Sequence, residues 1–184
     1  SLLEGAWSWK QNPEAVRPTL PVAKNPECPK WEPHYRFDYQ SPRIGLKGRE
    51  MSNGLYLAMK LRLPRVKRGD RVLVIGSGEH VWQPFLYSEV LAQDGIDAAF
   101  IATTRSPILP GAVIEHKITF PDHFGIGLDM YLHNVNPDDW DRIILFTETE
   151  TSGVSEALRS GLGKGFIVDC HGTVSPMVSE GMKR

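Results

Sequence analysis

Cysteine is scarce in this sequence. The 184 residues contain only Cys28 and Cys170, which lie far apart and form no Cys-x-x-Cys pair. This scarcity argues against a disulfide framework and against a structural zinc site. It also fits a reducing compartment, so we expect a cytoplasmic protein.

Long apolar runs and an excess of one charge are also missing. No apolar segment approaches the length of a membrane span, and the first residues lack the charged and apolar regions of a signal peptide. The formal net charge is −1, so no basic field would attract nucleic acid or an anionic membrane. We therefore expect neither a nucleic-acid partner nor a membrane partner.

Regular secondary structure is not expected in residues 1–42, where seven prolines occur. The same stretch is rich in tryptophan and tyrosine, which a disordered tail normally lacks. We expect an extended arm that packs on the domain or on a neighbouring subunit of a homo-oligomer. A linker from a preceding domain is the alternative for its first half.

Residues 43–184 are expected to form one α/β domain with a mostly parallel sheet and helices on both faces. Four apolar runs indicate buried strands, at 71–75, 98–102, 142–146 and 166–169. Helical spacing and capping residues predict helices at 52–63, from about 80 to 93, and at 154–158. Alternation at 114–120 predicts a half-exposed strand at an edge or in a hairpin. We expect the glycine-rich stretch 121–136 to be a lid or binding loop, and residues 174–184 to form a short helix or to fray.

The four predicted core strands all end in polar loops. If the strands are parallel, these loops share the edge where α/β sheets bind ligands. The loop after the first strand begins with a turn that lets a ligand approach backbone amides at a helix start. Its predicted phosphate-binding residues are Gly76, Ser77 and Gly78.

The loop after the second strand combines hydroxyl groups with a fixed cation. Hydroxyls and backbone N–H groups donate to an anionic oxygen while a guanidinium forks onto it, so this loop suits a phosphate. The residues concerned are Thr103, Thr104, Arg105 and Ser106. The alternative is an ordinary turn in which Arg105 pairs with a carboxylate.

Three residues of these loops are candidate catalytic acids or bases: Glu79, His80 and His171. Glu79 has an alternative role, since a negative charge at a helix N-terminus complements the dipole. Glu148 and Glu150 follow the third strand, and four interpretations stay open for them: Mg²⁺ with a diphosphate, ribose hydroxyls, a pair with Arg105, or solvated side chains.

Two cofactor classes are not expected. The Gly76–Gly78 turn lacks the third glycine of a dinucleotide fingerprint, and no acidic residue ends the second strand, so we do not expect NAD. Asp122, His123 and His133 do not match a metal-binding spacing, so we predict no metal site made of protein ligands alone.

The segments 74–79, 84–86 and 103–108, above all Thr-Arg-Ser-Pro at 104–107, resemble the TRSP domain. The segments 131–135 and 140–143 resemble its second half, and the resemblance covers about residues 36–172. It implies a Rossmann-like module that follows a type I-like phosphoribosyltransferase domain, in bacterial tellurite-resistance and stress operons proposed to make a nucleoside-like compound. The implied partners are that transferase domain or chain and a small phosphorylated metabolite.

The segment 151–155 is similar to the phosphate-binding part of type I phosphoribosyltransferases, which adds Ser152 to the predicted phosphate ligands. Only Glu148 stands where that family has an acidic pair, and Thr147 fills the other place. The chain is therefore at most part of a phosphoribosyltransferase-type enzyme, whose catalytic domain we expect before residue 1 or on another chain. Two hypotheses follow: an enzyme-associated ligand-binding domain, or a non-catalytic docking and oligomerisation module.

Overall fold

The computed structural model describes residues 66–170 and 172–178. The predicted arm at 1–42, the predicted helix at 52–63 and the candidate His171 lie outside the described residues. Of the described residues, no helix is long or apolar enough to cross a membrane.

The described chain forms seven strands and two helices. In chain order these are β1 (Arg71–Gly76), α1 (Trp82–Gln93), β2 (Asp97–Ala102), β3 (Lys117–Pro121), β4 (Asp129–His133), β5 (Arg142–Phe146), α2 (Glu156–Leu162), β6 (Phe166–Val168) and β7 (Val174–Pro176). Short 3₁₀ turns at Pro137–Asp139 and Thr151–Gly153 precede β5 and α2.

Five strands form one sheet in the order β2-β1-β5-β6-β7. The first four are parallel, and only β7 runs antiparallel, against β6. The mostly parallel sheet of an α/β fold is therefore confirmed. The prediction of a helix or frayed end after residue 174 is wrong for β7, because Val168 and Val174 pair in the sheet.

Strands β3 and β4 form a separate antiparallel hairpin. The predicted hairpin strand is thus confirmed, in a shorter form. The prediction of a loop throughout 121–136 is wrong for Asp129–His133, which form a strand whose alternate residues Met130 and Leu132 are buried. The backbone N–H and C=O groups of β4 are hydrogen-bonded to β3, and this pairing stabilises a strand in a segment that also contains glycines.

The core has two clusters that meet alternate residues of β1. Val72 and Val74 pack in one cluster with Tyr87 and Leu91 of α1. Leu73 and Ile75 belong to the other cluster, which includes residues of the hairpin and of α2. Because successive side chains of a strand point to opposite faces, this division supports helices on both faces and a Rossmann-like arrangement, which stay predictions.

Candidate functional site

The exit loops of β1, β2, β5 and β6 lie at one edge of the sheet, because these four strands are parallel. The convergence predicted from the sequence therefore holds for the described loops. The chain leaves β1 toward β2 on one side, and β5 lies on the other side. Strand order thus reverses between β1 and β5, the place where open α/β sheets bind ligands.

Three contacts join the loops after β1 and β2. The Gly78 N–H donates to Thr103 Oγ1 at 2.8 Å, and the Thr103 N–H donates to the Gly76 carbonyl at 2.9 Å. Arg105 pairs with Glu79 at 3.6 Å, and both side chains are more than half exposed. Pairing with a carboxylate was one of the alternatives for Arg105, and the structure assigns the carboxylate to Glu79.

The Thr-Arg-Ser-Pro segment also ties the sheet to the hairpin. Thr104 and Tyr131 exchange both backbone hydrogen bonds, at 2.9 and 2.7 Å. The Thr104 hydroxyl accepts from the Ser106 N–H at 3.0 Å, as in an ordinary turn. The side chains of Arg105 and Ser106 remain exposed. Thr104 therefore has a structural role, while Arg105 and Ser106 face solvent at the rim of the edge.

The loops after β1 and β5 are also adjacent. The Ser77 N–H donates to the Phe146 carbonyl at 3.0 Å. A Cβ placed on Gly78, whose φ is +64°, would lie 3.6 Å from Glu148 Oε2. Glu148 is thus brought to the glycine turn, as a ligand site shared by these loops requires. Glu150 and Ser152 are exposed, further along the same loop.

His80 is buried at the end of the β1 loop, where its ring stacks on Phe146 at 6.2 Å between centroids. Burial lowers the pKa of His80 to about 4, although the Gln83 side chain partly opposes this. That opposing effect is a hydrogen bond between the ring and the Gln83 side chain. An imidazole with so low a pKa is neutral at pH 7 and is a weak base there. The acid–base role of His80 stays a prediction.

His123 was considered only as a metal ligand, but it belongs to this edge. It follows β3, and its Nε2 is hydrogen-bonded to the buried Ser77 hydroxyl. Burial lowers the pKa of His123 to about 4, against the Gly153 backbone and the Asp122 charge, which raise it. The adjacent Asp-His pair at the end of an amphipathic strand is the only sequence signal for this role.

Asp122 shapes the turn that carries His123. Its carboxylate accepts four backbone N–H groups at 2.8 to 3.1 Å, from Phe124, Ile126, Gly127 and Leu128. Burial raises the pKa of Asp122, but the four donors outweigh it, so the net pKa is lowered. These contacts give the Asp122 carboxylate a structural role in the turn. No group of three or more potential metal ligands occurs in residues 66–170 and 172–178.

Cys170 lies after β6, where its N–H donates to the Thr149 carbonyl at 3.2 Å. Burial, and then the charges of Asp169 and Glu150, raise the pKa of the Cys170 thiol to about 11. The thiol is therefore protonated at neutral pH and is a poor nucleophile.

Comparison with protein families gives one match. Residues 41–162 match the family model described as "TRSP domain C terminus to PRTase_2", where PRTase abbreviates phosphoribosyltransferase. The match covers about two thirds of the chain. The searches of curated proteins and of solved structures found no match.

Proposed function

Because the chain belongs to the TRSP domain family, we propose that it is a phosphoribosyltransferase-associated domain that binds a phosphoribosyl or nucleotide-like metabolite. The ligand would lie at the carboxyl edge of the sheet, beside the reversal of strand order between β1 and β5. We place this activity in a bacterial stress pathway that makes a nucleoside-like compound, with the transferase domain as partner.

The observation that carries the proposal is the convergence of three polar loops on the reversal point. The Gly78 N–H is hydrogen-bonded to the Thr103 hydroxyl, and the Glu148 carboxylate lies near Gly78, on loops whose strands are neighbours in the sheet. Backbone amides at a glycine turn, hydroxyls and a carboxylate are groups that a phosphorylated sugar can use as partners.

Arg105 is the cation that would meet the phosphate. Its pair with Glu79 is long, at 3.6 Å, and is exposed. An exposed pair of this kind contributes less than about 1 kcal/mol, so exchange of the Glu79 carboxylate for a phosphate is inexpensive. A guanidinium with a phosphate forms the stronger, bidentate contact.

Glu148 and Glu150 are the residues that would hold Mg²⁺ together with a phosphorylated ligand. Mg²⁺ usually binds one or two carboxylates and the substrate phosphates, and it keeps several waters. The position of Glu148 beside the Gly78 turn fits such a site. Bound there, the ion would neutralise phosphate charge.

Isothermal titration tests the proposal. The 184-residue chain is titrated with phosphoribosyl diphosphate and with ribonucleoside monophosphates, with and without Mg²⁺. We expect binding that Arg105→Ala weakens by at least about tenfold, the value of one charge-assisted hydrogen bond. The matched control is Arg71→Ala, because Arg71 forms a similarly exposed pair with Asp97, at the opposite ends of β1 and β2. Absence of binding to folded wild-type chain contradicts the proposal.

A docking module is the second candidate, and exposed apolar side chains favour it. Val81, Trp82 and Phe85 at the start of α1 are each more than one third exposed, as are Ile108 and Leu109 after the Thr-Arg-Ser-Pro segment. Such side chains are typical of interaction surfaces. If this candidate is correct, Trp82→Ala weakens association with the transferase domain or between copies of the chain, and the metabolites do not bind.

A further inference from the structure

Strand β2 forms a lateral edge of the five-stranded sheet. It pairs with β1 on one side, and no strand of residues 66–170 and 172–178 pairs along its other side. Its sequence, Asp-Ala-Ala-Phe-Ile-Ala, is as apolar as that of a central strand, yet its last five residues are only partly buried. Edge strands of native proteins usually carry lysine, proline or a bulge, which prevent further pairing. Strand β2 has none of these, so its outer side is suited to receive another strand.

The backbone groups on the outer side of β2 belong to alternate residues. The Thr103 N–H donates inward to the Gly76 carbonyl of β1, whereas Thr104 exchanges both backbone hydrogen bonds with Tyr131 of the hairpin. Because the backbone groups of successive strand residues point to opposite sides, the residues of β2 with outward N–H and C=O groups are Ala98, Phe100 and Ala102. Among the described residues, no strand or bridge pairs with these groups.

A row of three aromatic side chains, Trp82, Phe85 and Phe100, lies beside this edge on the face of the sheet that α1 covers. The Phe100 and Phe85 rings meet edge to face at 5.8 Å between centroids, and Phe85 stacks with Trp82 at 5.9 Å. Trp82 and Phe85 are each more than one third exposed. A strand added to β2 would place every second side chain next to Phe100. Since cross-strand aromatic pairs stabilise a sheet, the edge favours a segment with aromatic residues at alternate positions.

The described chain begins beside this edge. Val66 packs on the core cluster of α1, against which Ala98 and Phe100 also pack. The Arg68 side chain lies near Gly95, just before β2, because a Cβ built on Gly95 would be 3.7 Å from Arg68 Nε. Strands of a sheet are about 4.8 Å apart, so a strand added beyond β2 would lie about 10 Å from β1. The chain that precedes Val66 can therefore reach this position.

That preceding part of the chain contains a segment with the required alternation. In residues 35–39, Tyr-Arg-Phe-Asp-Tyr, aromatic side chains alternate with charged ones, a pattern typical of a strand with one buried face. Residues 40–65 connect the segment to Val66 and are long enough to reach either end of β2. A second copy of β2 is a poorer match, because Phe100 is the only aromatic residue among its six.

From this geometry we propose that the outer side of β2 and the aromatic row are the docking site of residues 35–39 of the same chain, which add a strand to the sheet. The three aromatic side chains of the segment lie against Phe85 and Phe100, and its two charged side chains point to the opposite face. The inference goes beyond the proposed function, because none of these residues is assigned to metabolite binding. It differs from the docking candidate above in its occupant, which is part of the chain itself.

Hydrogen exchange of the full chain, followed by amide NMR, tests the docking site. The outward amides of Ala98 and Phe100 report on the added strand. The protected reference is the Thr104 amide, which is bonded to the Tyr131 carbonyl. We expect the Ala98 and Phe100 amides to exchange at least about a hundredfold more slowly than unpaired amides. Exchange of both at the unpaired rate in the wild-type chain overturns the proposal.

Variants of the segment identify the occupant. Phe37→Ala removes the central aromatic contact, and we expect it to speed exchange of the Ala98 and Phe100 amides at least about tenfold. The matched control is Arg36→Ala, because the neighbouring side chain points to the opposite face, and its amides should exchange as in wild type. If Phe37→Ala fails to fold, Tyr39→Ala replaces it with the same expectation. Equal protection in wild type and in the aromatic variant overturns the assignment of the segment.

Two further measurements distinguish the other occupants. If the protein sediments as a dimer and the β2 amides stay protected in Phe37→Ala, a second copy occupies the edge and the proposal is wrong. If the β2 amides become protected only when the transferase domain is added, that domain is the occupant, which also overturns the proposal. Ribose 5-phosphate should bind equally to wild type and to Phe37→Ala, so failure of this inference is distinguishable from failure of the proposed function.

Discussion

The Ser77 hydroxyl and the His123 imidazole are hydrogen-bonded although the two residues lie 46 positions apart. Ser77 follows β1 in the parallel sheet, and His123 follows β3 in the hairpin. The bond therefore makes the hairpin turn part of the carboxyl edge of the sheet. Together with the backbone bridge between Thr104 and Tyr131, it fixes the hairpin beside the loops that we propose to bind the metabolite.

The stability of the fold should fall as the pH falls from about 6.5 to about 4. In this window the unfolded chain protonates His80 and His123 at their ordinary pKa of 6.5, while the folded chain keeps both neutral down to about 4. The contribution of the two neutral histidines to the free energy of unfolding is thus fully present above pH 6.5. It is lost progressively below that pH, by up to about 3 kcal/mol for each histidine. Urea unfolding at pH 7.5 and pH 4.5 measures the difference.

The variant His80→Phe/His123→Phe should lose most of this pH dependence. At pH 7.5 it should be less stable than wild type by about 1–3 kcal/mol, because the loss of the His123 imidazole leaves the buried Ser77 hydroxyl without its partner. A pH slope identical to that of wild type would show that other groups cause the acid sensitivity.

Replacement of Asp122 should destabilise the hairpin turn. Asp122→Ala leaves four backbone N–H groups without their acceptor, so we expect a loss of about 2–4 kcal/mol in the free energy of unfolding. Asp129→Ala is the control, since Asp129 lies exposed on the same hairpin, and its effect should be within about 0.5 kcal/mol. Equal effects of the two variants in urea unfolding would contradict the role given to Asp122.

Gly76 should tolerate no side chain. A Cβ at this position would overlap the His80 carbonyl oxygen and lie 3.1 Å from Pro84 and 3.3 Å from Phe100. We expect Gly76→Ala to cost about 2–4 kcal/mol, because backbone and a proline ring cannot move aside. Gly111→Ala, where nothing lies within 4 Å, should change stability by less than about 0.5 kcal/mol. Thermal unfolding of both variants measures these changes, and equal melting temperatures would contradict the close packing at Gly76.

Arg105→Ala should leave the fold intact. The Arg105–Glu79 pair is exposed, so its loss should cost less than about 1 kcal/mol and shift the melting temperature by only a few degrees. Calorimetric melting of the variant checks this. A large drop would make Arg105 a structural residue and would remove its value as a probe of phosphate binding.

Much of the fold could be predicted from local sequence, because continuous apolar runs indicate buried parallel strands. Strands β1, β2 and β5 were predicted to within one residue, and the shared edge of their loops followed from their parallel order. Strand β4 was missed because its alternation is short and directly follows a turn with two glycines, Gly125 and Gly127. Strand β7 was missed because three residues acquire strand structure only by pairing with β6.

The site was harder to predict than the fold, because its geometry depends on contacts between distant segments. Gly78, Thr103 and Glu148 were expected at one edge and do lie there. The partner of Ser77 could not be predicted because His123 lies on the hairpin, far away in sequence. The partner of Arg105 could not be predicted because Glu79 was one of several nearby carboxylates. The predicted roles of these residues in binding and catalysis stay predictions.

The most direct test of the central claim is to map ligand binding by amide NMR. The full chain, labelled with ¹⁵N, is titrated with ribose 5-phosphate in the presence of Mg²⁺. We expect the largest shifts at residues 76–80, 103–106, 123 and 147–152, on the three loops and the hairpin turn that meet at the reversal of strand order. Shifts confined to the start of α1, or no shifts at millimolar ligand, would contradict a metabolite site at this edge.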